Sequence, residues 1–189
     1  MKTILSFLGI DRRDEEEGDG GQTETVRRIV RELDALPSER ARFVAAFAYV
    51  LSRVANADLE ISEEETREME EIVCRFGHLP EEQAVLVVQI AKSQNRLFGG
   101  TENFQVTREF KELATPGQRR DLVDCLFAVS AADGSISGEE ELQVRQIAEE
   151  LDFSHREYVE IRSAYNDRRS VIQRLGDAET GQPRRRPRR

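Results

Sequence analysis

The stretch FAYVLSRVANADLEISEEETREMEEIVCRF, Phe47 to Phe76, is answered 75 residues later by LVDCLFAVSAADGSISGEEELQVRQIAEEL, Leu122 to Leu151. Phe47, Val50, Leu51 and Val54 correspond to Leu122, Cys125, Leu126 and Val129, and Met69, Ile72, Val73 and Phe76 to Val144, Ile147, Ala148 and Leu151. Each set follows the i, i+3, i+4, i+7 spacing that gathers side chains on one helix face. Between them Asp58, Ile61, Ser62, Glu64 and Glu65 match Asp133, Ile136, Ser137, Glu139 and Glu140. Shared spacing on both sides of a shared turn identifies two related helical hairpins.

Outward from this repeat the pattern stays helical from Thr25, with no alternating strand-like run and no Asn-Gly hairpin signal, so the fold class is all-α. A first helix is predicted over Thr25 to Leu36, ended by Pro37, and a second from Ser38 to about Asn56. A third runs from Ser62 to about Arg75 and stops at Gly77, after which Pro80 opens a fourth carrying Val85, Val87, Val88, Ile90 and Ala91. Leu97 to Asn103, with Gly99 and Gly100, reads as a hinge between the halves, and a short helix follows from Phe104 to Leu113. Thr115 and Pro116 take the cap and first-turn positions of a long helix reaching Ala132. Helices from Ser137 to Leu151 and from Ser154 to Tyr165 complete the second half. The reading is a single compact helical domain over 25–167, built of two pseudo-symmetric helical-hairpin halves (repeats about 38–96 and 115–165), with disordered termini. A short N-terminal helix and acidic linker occupy 1–24 and a basic tail 168–189.

At 189 residues and 38% hydrophobic content the chain suffices for one domain with charged ends and leaves no room for a second, catalytic one. A net charge of -9 argues against nucleic acid as partner of the folded body, because phosphates are bound through Lys and Arg. Cations or basic surfaces suit it better. Cys74 and Cys125 lie far apart, and Cys125 falls on the apolar face of its helix, so both read as buried free thiols of a reducing, cytoplasmic compartment. The apolar run Ile4, Leu5, Phe7, Leu8 and Ile10 is too short to span a bilayer and lacks a small-residue cleavage site. It suits a short amphipathic helix that docks on the domain or touches a membrane surface. Asp11 to Gly21 offers no apolar face and reads as a solvated linker. At the other end Val171, Ile172 and Leu175 allow one or two further helical turns before Gly176. Arg184, Arg185, Arg186, Arg188 and Arg189, interrupted by Pro187, then form a tail that cannot build a core; it suits a solubilising end, or a weak contact with an anionic membrane, nucleic acid or the protein's own acidic surface.

Much of the acidic pattern Asp-x-x-Ile-Ser-x-x-Glu is structural. Ser62 with Glu65, and Ser137 with Glu140, have the spacing of capping boxes, with Ile61 and Ile136 as staple residues ahead of them. Asp58 and Asp133, and the surplus acids Glu60, Glu63, Glu64 and Glu139, are left over. Asp133-Gly134 also fits a turn that wants an Asx side chain and a positive backbone dihedral. An EF-hand alignment fails, because its first two ligand positions would fall on Val129 and Ala131 in one copy and on Val54 and Asn56 in the other. One turn alone therefore makes no tight calcium site. Two turns packed together would offer Asp58, Glu65, Asp133 and Glu140 as oxygen ligands for a hard divalent cation. Like charges about 4 Å apart cost on the order of 4 kcal/mol per pair at an effective dielectric near 20, so convergence requires a cation, protons or water between them.

The phrase Ala132-Asp133-Gly134-Ser135-Ile136-Ser137-Gly138-Glu139-Glu140, followed by Leu151, Phe153 and Ser154, resembles the tellurite-resistance TerB-like family over roughly Ser38 to Tyr165. The resemblance implies an all-helical domain of two similar halves in a soluble bacterial stress-associated protein, non-enzymatic, with an acidic metal-binding site. By matching positions that site would consist of Asp58, Glu65, Asp133 and Glu140. The first copy departs from the phrase at Leu59, where Gly is usual. No His-Pro-Asp signature is present, so the chain is not the J-domain co-chaperone in which such a domain also occurs.

An enzyme finds little support. His78 and His155 are the only histidines, and neither belongs to a His-Glu-x-x-His arrangement; Gly-x-Ser-x-Gly and phosphate-loop motifs are absent. The expectation is a non-enzymatic protein that binds a divalent cation at paired acidic turns, the alternative being an adaptor that engages a partner protein through its acidic face without metal.

Overall fold

A computed structural model of the protein describes residues 20–55, 62–94 and 103–173. The described helices are α1 (Gly20–Asp34), α2 (Ser38–Ser52), α3 (Glu63–Phe76), α4 (Glu81–Gln94), α5 (Asn103–Leu113), α6 (Pro116–Ser130), α7 (Gly138–Glu150) and α8 (His155–Ser163), closed by a 3-10 turn, Asn166–Arg168. The fold is all-α; its sole β-type pairing among the described residues is an isolated bridge between Ile136 and Arg169. The first acidic turn with Asp58, the hinge after Gln94, the N-terminal apolar run and the arginine tail lie outside the described residues.

Helix starts follow the caps. Ser62, Thr115, Ser137 and Ser154 each accept from the backbone N–H three residues on, while Glu65, Gln118, Glu140 and Glu157 reach back to the cap's own N–H. Each exchange satisfies two donors that a helix N-terminus otherwise leaves open. Helix ends depart further from expectation. Helix α1 begins at Gly20, ahead of Thr25, through two glycines that read as linker; burial of Ile29 and Leu33 fixes the helix and overrides weak local propensity. Helix α2 stops at Ser52, before Asn56, because Arg53 and Val54 close it with tight bonds to the Val50 and Leu51 carbonyls (3.2 and 3.1 Å). Helix α6 ends at Ser130 and α8 at Ser163, each two residues early.

The helix faces are those the spacing requires. Phe47, Val50, Leu51, Leu122, Cys125 and Leu126 are all fully buried, and the two halves share one continuous core. Helix α2 lies against α4 and α5, α3 crosses to α6 as well as packing on α4, and α6 is covered by α7 and α8. Phe43, Phe47 and Phe110 join α2 to α5 at centroid distances of 5.2 to 6.2 Å. In the second half Tyr165 stacks on Phe127 at 5.3 Å, beside Tyr158. Gly77 ends α3 for reasons of space. Its φ of -76° suits any residue, but a Cβ there would meet the Val73 carbonyl oxygen at 2.5 Å and the Phe47 ring at 2.9 Å.

Candidate functional site at the acidic turns

The second turn is described in full. Asp133 Oδ1 accepts from the Ser135 N–H at 2.9 Å, and Gly134 sits at φ +96°, where glycine alone is unstrained. Ile136, 1% exposed, is fastened from both sides: its N–H donates to the Arg168 carbonyl (2.7 Å) and its carbonyl accepts from the Ser170 N–H (2.9 Å). Gln173 Nε2 donates to the Gly134 carbonyl at 3.2 Å. The chain beyond α8 thus lies along the turn as a strap. Sequence reasoning ended the domain at Asp167 and did not foresee these contacts.

The proposed ligand residues are placed as follows. Asp58 lies outside the described residues. Glu65 is exposed, and its Oε2 accepts from the Ser62 N–H at 2.7 Å. That backbone hydrogen bond, with the Ser62 side chain, holds its carboxyl below the usual range. Glu140 repeats the arrangement, with Oε2 2.8 Å from the Ser137 N–H. Asp133 is exposed and bonded within its own turn. Asp133 thus stands in the turn and Glu140 in the first turn of α7, and the described residues contain no group of three acidic, His or Cys side chains arranged to hold a metal ion.

Glu141, one residue after the capping box, is held by two arginines. Arg169 grips both of its oxygens (2.8 and 2.7 Å), and Arg162 Nη1 donates at 3.1 Å. Burial opposes the charge on Glu141, but the Arg169 and Arg162 guanidiniums outweigh it and hold the carboxyl below its ordinary value. Arg53, at the end of α2, makes the equivalent tie across the halves. Its Nη1 and Nη2 meet Glu150 at 2.6 and 3.1 Å, and Nη1 also donates to Thr107 at 2.6 Å. Burial again opposes the charge on Glu150, and Arg53 with Thr107 overcomes it. The sequence signal for the strap was the apolar spacing of Val171, Ile172 and Leu175, which allows further helical turns but does not say where they dock.

Helix α3, EEETREMEEIVCRF, has a different character. Glu63, Glu64, Glu68 and Glu71 are exposed and make no ion pair among the described residues. Glu64, Glu68 and Glu71 recur at i, i+4, i+7 and repel along one stripe. Elsewhere the chemistry is quiet. Exposed His78 faces Asp121 at 3.4 Å, and burial pushes the Cys125 thiol far up, away from reactivity. No described helix is long and apolar enough to cross a membrane.

The family model described as Tellurite resistance protein TerB matches residues 43–163, most of the 189-residue chain. The chain belongs to that family. No curated protein and no solved structure matches it.

Proposed function

We propose that this member of the TerB family acts by binding rather than catalysis, as a bacterial stress-associated protein of the reducing cytoplasm, and that its acidic face engages a basic segment of a partner protein. One observation carries this reading: the carboxylates of Glu63, Glu64, Glu68 and Glu71 on α3 stand exposed and unpaired among the described residues. Repulsion along that stripe costs a few tenths of a kcal/mol per i, i+4 pair, and a complementary basic surface relieves it. The carboxylates of Glu65 and Glu140 are already engaged at helix caps, which leaves each with one oxygen for an outside partner.

A second reading, a divalent cation held by Asp58, Glu65, Asp133 and Glu140, is favoured by those same remaining oxygens. Asp133 Oδ2 and Glu140 Oε1 accept no hydrogen bond among the described residues and lie on either side of the Ser137 cap. One experiment separates the two. Chelator-treated protein is titrated with calcium, magnesium, manganese and zinc and followed by thermal shift, beside a pull-down from lysate at rising salt. The adaptor reading expects no ion response and a captured basic protein that is released as salt rises and lost in Glu64→Gln/Glu68→Gln/Glu71→Gln. The cation reading expects stabilisation of about 2.7 kcal/mol at a hundredfold excess over the dissociation constant, abolished in Asp58→Asn/Asp133→Asn. Neither response in either assay rejects both and leaves helix capping as the whole role of the turns.

A further inference from the structure

A groove of about 660 Å³ opens between the end of α1 and the start of α4. Leu36, Val85 and Leu86 line it, the first two half-buried and Leu86 buried, with Glu32, Glu81 and Glu82 beside them. Glu81 and Glu82 are exposed and make no ion pair among the described residues, while Glu32 meets Arg28 only at 4.0 Å. Arg40, at the same place, donates to Gln83 at 2.8 Å and lies over the Phe43 ring. The groove is thus apolar within and acidic at its edge. Helix α1, which forms one wall, precedes the residues matched to the family, 43–163.

We propose that this groove is the dock for the chain's own N-terminal segment, Met1 to Ile10. Chemistry matches first: Ile4, Leu5, Phe7 and Leu8 supply apolar side chains for Leu36, Val85 and Leu86, and Lys2, within the same segment, carries a charge opposite to Glu81 and Glu82. Reach matches too. The groove lies at the C-terminal end of α1, so a segment attached at Gly20 must double back along that helix, whose 15 residues span about 22 Å. Residues 11–19 intervene, and such a connector extends to about 30 Å, with Gly18 to ease the reversal. A short tether of this kind holds its segment at an effective concentration in the millimolar range. An intrinsic dissociation constant of about 0.1 mM then keeps the groove about nine-tenths filled, which a contact of a few apolar side chains meets.

The test uses the full-length chain with Thr3→Cys carrying a nitroxide, in a Cys74→Ser background, and reads methyl NMR intensities of Leu36, Val85 and Leu86. Docking predicts that these methyls lose more than half their intensity, that the loss is unchanged on tenfold dilution, and that Leu5→Asp/Leu8→Asp restores it. Unaltered Leu126 methyl shifts in that variant verify that the domain is intact. Full intensity at Val85 and Leu36 overturns the proposal. So does broadening that persists in Leu5→Asp/Leu8→Asp, or broadening that arises only when labelled chains are mixed with a second, isotope-labelled copy, since the occupant would then be another molecule.

Discussion

Helices α3 and α7 occupy equivalent places in the repeat, yet they live in different surroundings. Of α3 only Val73 is buried, whereas α7 buries Val144, Ile147 and Ala148. At the position after each capping box, Thr66 receives one hydrogen bond from Lys92 (2.7 Å), while its counterpart Glu141 is held by Arg162 and Arg169. The remaining acids of α7 are partly neutralised by Arg145 and Arg53, and the α3 stripe is not. The same local sequence thus serves as a clamped, structural hairpin in one half and as an exposed acidic face in the other. What separates them lies outside the repeat, chiefly in the strap after α8.

The strongest way to break this comparison is a matched pair of core truncations. Ile147→Ala, at a fully buried site, is expected to cost about 2 to 5 kcal/mol, and Ile72→Ala, half-buried at the equivalent place, less than half of that. Urea unfolding measures both; equal losses would show that α3 is as firmly packed as α7. Next comes the clamp. Glu141→Gln should cost about 1 to 3 kcal/mol, because it leaves Arg162 and Arg169 without the charged acceptor that both now share. The folded-state carboxyls of Glu141 and Glu150 are depressed, so their contribution is complete above the unfolded glutamate pKa near 4.3 and is lost as pH falls through the lower folded values. Glu141→Gln should accordingly flatten the acid limb of stability against pH.

Smaller effects sharpen the picture at the caps. Ser137→Ala and Ser62→Ala should each cost about 1 kcal/mol, since the capping boxes are alike in geometry even though their surroundings differ. A much larger loss at Ser137 would mean that the cap and the strap at Ile136 act as one unit. Least of all, truncation after Gly176 keeps Ser170 and Gln173 on the turn, so the melting temperature should not move. Loss of any salt-dependent binding to anionic vesicles in that variant would assign the contact to the arginines.

What the sequence determined by itself was everything carried by short-range physics. Apolar spacing set which faces of α2, α6 and α7 are buried; Ser62, Thr115, Ser137 and Ser154 set where helices begin; Asp133-Gly134 set the shape of the second turn. These signals act within a turn or two of chain, so they can be read from neighbours alone. Helix ends were less legible, because α1 reaches Gly20 and α2 stops at Ser52 under the influence of burial and of the tie from Arg53 to Glu150, 97 residues away. Tertiary structure alone decided which carboxylates are neutralised and which face solvent. Arg169 reaches Glu141, and Arg168 and Ser170 reach Ile136, only because the stacking of Tyr165 on Phe127 and its bond to Asp124 (2.7 Å) fold the chain back over α6. No local rule encodes that return, since its partners are some 30 to 40 residues apart and meet only once the shared core has formed.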